Sequence, residues 1–175
     1  LAGLADDAST HAAGMQGKDG IELIFTGAYS VYDGRWANNG WLQELPDPIT
    51  RLTWDNAAII GPSTAEHLGI RTGDMITIAV NGRSVDAAVL IQTGQAENTA
   101  SLSLGYGRRF AGRVCNGAGF DFYRLRTIAN AWFAPGATIT STGATYPLAT
   151  VQDHFAIDSV GGKGTQDRLP LLFRE

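Results

Sequence analysis

The chain has 175 residues, enough for one domain with a sizeable core, and 13 Lys and Arg stand against 17 Asp and Glu for a formal charge of −4. That balance offers no basic face, so nothing in it favours nucleic acid or an anionic membrane as a partner. Twenty-two glycines with only 17% charged residues suit many short strands joined by tight turns, and a mainly β fold is expected.

In chain order, residues 1–20 are rich in Ala, Gly, Asp and Ser without a period, and read as a linker or frayed end of a piece cut from a longer protein. Ile21 to Phe25 is a buried strand, followed by a long polar and aromatic loop from Thr26 to Gly40. Trp41 to Leu45 allows one helical turn before Pro46 and Pro48 stop it. Ile49 to Trp54 and Ala57 to Ile60 read as short strands flanking Asp55-Asn56. Ser63 and Glu66 have capping-box spacing, so a two-turn helix is expected from Ser63 to Leu68, stopped by Gly69. Thr72-Gly73-Asp74 turns into the strand Met75 to Val80. Asn81-Gly82 is the strongest short hairpin signal, and the return strand is Arg83 to Ile91, with Val85, Ala87, Val89 and Ile91 on one face.

Thr99 to Leu104 is another strand and leads into a glycine-dense, basic loop from Gly105 to Gly119. Phe120 to Ile128 is apolar but broken. Thr138 to Thr142 and Tyr146 to Val151 read as a last strand pair joined through Gly143, and residues 158–175 return to linker composition. The expected organisation is therefore a linker over 1–20, a barrel domain over 21–157 and a linker toward a following domain over 158–175.

Catalytic and metal chemistry find little support. Cys115 is the lone cysteine, and His11, His67 and His154 lack any metal-ligand spacing, so neither a metal site nor a cluster site is expected. His67 falls at the end of its helix, where the dipole favours it. Asp33, Glu44, Asp47 and Asp55 suit caps, turns and solvated faces, and Cys115 suits a small buried position. Trp36 and Trp41 lie in or beside the long loop, where they suit interface anchors. No apolar run is long enough for a membrane span and no signal peptide is visible, so a soluble chain without membrane insertion is expected.

A short helix leading through Leu68-Gly69-Ile70-Arg71-Thr72-Gly73-Asp74 into a hairpin resembles the core of the double-psi β-barrel that closes molybdopterin oxidoreductases. Leu23 to Gly27, Trp41 to Pro46 and Ala65 to Asp74 are similar to three pieces of that dinucleotide-binding domain, in order. Asn39 to Thr50, Trp54-Asp55-Asn56, Leu102 to Arg108 and Tyr146 to His154 more closely resemble the molybdopterin-oxidoreductase-like iron–sulfur subunit of alternative complex III, a bacterial quinol-oxidising complex.

The resemblance implies a non-catalytic barrel serving structure and assembly in a respiratory electron-transfer complex. No cofactor is expected in the fragment itself. Its partners would be the other domains of its subunit and the other subunits of the complex, on the periplasmic side of the inner membrane. The alternative implied is a molybdopterin guanine dinucleotide-binding domain of an active molybdenum or tungsten enzyme. Thr26, Gly27, Arg35, Asn38, Gly105, Tyr106, Gly107 and Asn116 would then line the cofactor. Relatives that hold the dinucleotide usually carry Arg after the strand-ending Thr-Gly, where this chain has Ala28. A self-processing enzyme of the aspartate-decarboxylase type would need a Gly-Ser pair, which is missing. The loops Tyr29 to Asn39 and Gly105 to Gly119 are expected to share one face, with exposed aromatics rimmed by Arg35, Arg108 and Arg113.

Overall fold

The computed structural model describes residues 20–151. The expected linkers, the domain limit at 157 and both His11 and His154 therefore lie outside the described residues, apart from Gly20 at the end of the first linker. The elements are β1 (Ile21–Gly27), α1 (Gly40–Glu44), β2 (Ala58–Ile60), α2 (Pro62–Leu68), β3 (Asp74–Val80), β4 (Arg83–Ile91), β5 (Thr99–Leu104), a 3-10 turn (Phe122–Leu125) and β6 (Phe133–Thr145).

The six strands close into a barrel in the order β1-β5-β2-β4-β3-β6, a mainly β fold of the small double-psi type. Two of its contacts are parallel, β1 with β5 and β2 with β4, and the others antiparallel. Alternation decides which side chains enter. Leu23, Phe25, Ile60, Ile76, Ile78, Val89 and Leu102 fill the interior, and Phe122 and Leu125 of the 3-10 turn join the same core. Each such aliphatic or aromatic group contributes roughly 1.5–3 kcal/mol when fully buried.

The hairpin forms as its turn residues dictate, with Asn81 at φ 51 and Gly82 at φ 74, and the pairing runs from Val80 with Arg83 to Met75 with Ala88. The helix stop is also local, since Gly69 adopts φ 65 and its N–H reaches the carbonyls of Ala65 and Glu66.

Three expectations are corrected. The helix begins one residue early, because Pro62 occupies its first position and Gly61 becomes an N-cap without a side chain. Ser63 therefore lies inside the helix, and no capping box forms. Ile49 to Trp54 is not a strand. Arg51 and Trp54 adopt φ 62 and φ 61, which breaks the extended run and leaves a single bridge from Leu52 to Thr150. Gly143 is not a turn between two strands either. It sits at φ 77 within β6, where the pairing jumps from Asp74 with Thr145 to Ile76 with Ser141, and so marks a bulge. The segment beyond β6 crosses to residues 51–53 instead, with Thr53 N–H bonded to the Ala149 carbonyl and Val151 N–H to that of Arg51.

That crossing adds a small second core. Leu52, Ala57 and Leu90 pack with Leu148 on the outside of the barrel, so β4 is buried on both faces where alternation alone predicts one. Gly73 is the pivot of the same region. At φ 89 it donates to the Val89 carbonyl and accepts from Tyr146 N–H, and an added Cβ would stand 3.3 Å from the Tyr146 carbonyl oxygen. Gly73→Val is expected to lower the unfolding free energy by about 1–3 kcal/mol, measured by urea denaturation. Unchanged stability would show that the turn tolerates a β-branched residue.

Candidate functional site

Asp55 and Asn56 lie between the irregular segment 49–54 and β2, and both are buried, 8% and 3% exposed. Asn56 makes three short bonds: Nδ2 donates to the carbonyls of Ser103 at 2.6 Å and Phe120 at 3.0 Å, and Oδ1 accepts from Phe120 N–H at 2.6 Å. Its amide thus stands in for a missing stretch of strand at the end of β5. Asp55 Oδ1 accepts from the Tyr146 hydroxyl at 2.9 Å. Burial pushes the Asp55 carboxyl above its ordinary 3.8, while Tyr146, desolvated and bound to that carboxyl, is pushed up to about 12.

Beside this pair opens a cleft of about 410 Å³ on the outer face of β1, β5 and β2. Its floor carries the outward residues Ser101, Ser103 and Ile59, and its rim carries Tyr29, Ser30 and the loop from Asp47 to Thr50. Asp47 holds that loop through an Asx turn, with Oδ1 accepting from Ile49 N–H at 2.9 Å and Thr50 N–H at 2.7 Å. The Tyr106 hydroxyl pairs with Ser30 Oγ at 3.0 Å. Its pKa is raised, chiefly by burial, with a contribution from the negative charges of Asp47 and Asp55.

The eight residues expected at a cofactor do not form one wall. Thr26, Gly27 and Tyr106 line the cleft. Gly105 and Gly107 line a separate depression with Asp33 and Tyr123, and the Tyr106 ring divides it from the first. Arg35 and Asn38 border a third, open groove with Trp36 and Trp41. Asn116 is drawn into its own loop, where Oδ1 accepts from Ala111 N–H at 2.6 Å. The sequence pointed to the loops after β1 and β5 and missed Asp55, Asn56 and Tyr146 as a hydrogen-bonded group. The one available signal was a Trp-Asp-Asn triplet between two apolar runs.

Those two loops do meet. Arg108 Nη1 donates to Asn38 Oδ1 at 3.2 Å, and an added Cβ at Gly34 would stand 3.2 Å from the Gly105 backbone, which explains the glycine there. Trp36 and Val114 are largely exposed on these loops, Phe110 at 90% is almost wholly so, and so is Trp41 at 86% on the adjoining α1. Arg35 is held by Asp33 at 2.7 Å, and the guanidinium keeps that carboxyl down at about 2. Cys115 is buried beneath the same surface, beside Gly40.

Among the described residues no three His, Cys, Asp or Glu side chains group closely enough to hold a metal ion, and no helix is long and apolar enough to cross a membrane. No family model matches the sequence, and no curated protein matches it. Among solved structures, acetylene hydratase from Pelobacter acetylenicus is similar over 49% of this chain at 20% identity and a TM-score of 0.40. The chain spans 11% of the length of that protein.

Asn56→Asp keeps the shape but turns an amide donor facing two carbonyls into a carboxylate. It is expected to lower the unfolding free energy by roughly 3 kcal/mol in urea titrations, and a loss below about 0.5 kcal/mol would count against the bridging role. Asp55 makes stability depend on pH in the unusual direction. With its folded pKa above the unfolded one, its favourable contribution is complete below about 3.8 and is lost as pH rises through the raised value. The melting temperature of Asp55→Asn, relative to the parent, should therefore climb between pH 4 and pH 7. A flat difference would show that the carboxyl is not desolvated.

Proposed function

We propose that this chain is the non-catalytic barrel domain of a molybdopterin-oxidoreductase-like subunit in a respiratory quinol-oxidising complex of the alternative complex III type. Its role on this reading is structural: it docks through the face made by the loops after β1 and β5. The observation that carries the proposal is that face, where Trp36, Phe110 and Val114 stand exposed on two loops that are themselves tied together and Trp41 stands exposed beside them on α1. Exposed aromatic groups on an ordered support are what a protein interface needs, and nothing within the described residues covers them. The surrounding Arg35, Arg108 and Arg113 suit an acidic rim on the remainder of the parent subunit.

The segments behind the family resemblance support a structural role. Trp54-Asp55-Asn56, Leu102 to Arg108 and Tyr146 to Val151 meet through the bonds of Asp55 and Asn56, so their polar groups serve the fold. A dinucleotide-holding role draws less support. The cleft that contains Thr26, Gly27 and Tyr106 is lined by Asp47 and Asp55 and, among the described residues, by no Lys, Arg or His, and these residues do not fit a pyrophosphate. On this reading the parent lies on the periplasmic side of the inner membrane, with the electron-carrying centres in other domains.

Hydrogen exchange tests the docking role. Amides in 29–39 and 105–119 should exchange quickly in the isolated chain and become protected in the whole subunit, whereas β3 stays slow in both. Loops as slow as β3 in isolation would make them covers and not a docking face. Stoichiometric molybdenum or tungsten in the full-length protein would favour the dinucleotide-binding alternative.

A further inference from the structure

We propose that the cleft over the outer face of β1, β5 and β2 is a binding site for a small organic cation, an amidine or primary amine on a flat apolar body, held between Asp47 and Asp55. The inference is independent of the docking role, since none of Trp36, Trp41, Phe110 and Val114 lines this cleft.

Four observations lead to it. The cavity, about 410 Å³, matches a single-ring ligand. Its two ionisable acids come from different segments, one on the rim loop and one beside β2, and among the described residues no cationic side chain lines the space. Both line the same cleft, one at its rim and one beside its floor. The spare acceptor of Asp47 is the third point: its turn bonds engage Oδ1, and among the described residues its Oδ2 accepts none.

The fourth is the balance of the walls. Ala28, Ile59 and Pro48 supply an apolar surface, and the Tyr106 ring adds an aromatic one, while Ser30 and Ser103 offer hydroxyl acceptors. An ammonium or amidinium entering here restores to Asp55 the charge stabilisation that burial has removed. A carboxylate or phosphate would face the same two acids with no donor of positive charge among the described residues. The site therefore selects by sign before it selects by shape.

The probes are benzamidine and benzylamine, with benzoate and benzyl alcohol as the anionic and neutral counterparts of similar size. The 175-residue chain is titrated with each, and binding is followed by calorimetry and by amide shifts in the NMR spectrum. Benzamidine and benzylamine should saturate with Kd of about 1 mM or tighter, moving amides in 26–30, 47–50 and 101–103, while benzoate moves none of them. Asp47→Asn and Asp55→Asn should each weaken benzamidine by about tenfold, the loss expected for one charge-assisted hydrogen bond. Thermal melts establish that each variant folds, and Asp47→Asn carries the test alone if Asp55→Asn does not. Benzoate binding as tightly as benzamidine would overturn the proposal. So would the lack of any benzamidine shift in the cleft at about 10 mM, or benzamidine affinity unchanged in the folded variants.

Discussion

The amide of Asn56 is the contact on which the arrangement around the cleft depends. Two donors and one acceptor on a single planar group satisfy Ser103 at the end of β5 and both backbone groups of Phe120, which are 47 and 64 residues away in the chain. No other side chain of that size presents this pattern, apart from the longer Gln. The bonds bring the Gly105–Gly119 loop back against the barrel so closely that an added Cβ at Gly119 would strike Asn56 Oδ1 and the Tyr106 side chain. Asp55, as the preceding residue, is thereby fixed under Tyr146, and the last described segment is closed onto the outside of β4. The cleft, its dividing tyrosine and the covering segment all follow from one buried amide.

Charge is distributed unevenly around that centre. Among the described residues the cleft holds two acids without a counter-ion, whereas the neighbouring loops carry Arg35, Arg108, Arg109 and Arg113 around exposed aromatics. A net charge of −4 conceals this separation. Because the two surfaces differ in sign and in apolar content, the partners proposed for them differ as well: a cation of modest size for one, an acidic-rimmed protein surface for the other. Such a division is easier to reconcile with a scaffold module than with a pyrophosphate site, which needs converging donors and positive charge.

Local physics made a large part of the fold legible in the sequence. Positive φ is cheap for Asn-Gly and for Gly69 wherever they occur, so the hairpin and the helix stop could be placed from a few neighbouring residues. Alternation placed β3 and β5 nearly to the residue, because each has one face toward the barrel core, and β4 followed from the hairpin turn although a second core buries its other face as well. The same reasoning failed where a local signal met a stronger neighbour. Pro62 pre-empted the Ser63 cap, and the positive φ of Arg51 and Trp54 interrupted a run of otherwise strand-forming composition.

Tertiary structure alone decided the strand order, the bulge at Gly143, the second core around Leu90, the pairing of Asp55 with Tyr146, and the cleft shared by Asp47, Asp55 and Tyr106. The reason is one of distance along the chain. Turn chemistry and side-chain alternation act over a few residues and leave the same trace in any fold that uses them. The partner of a buried polar group, by contrast, is set by which strands the closed barrel brings side by side. Asp55 and Tyr146 are 91 residues apart in the chain; only barrel closure, with its parallel β1–β5 and β2–β4 contacts, puts the carboxyl and the hydroxyl within a hydrogen bond of each other.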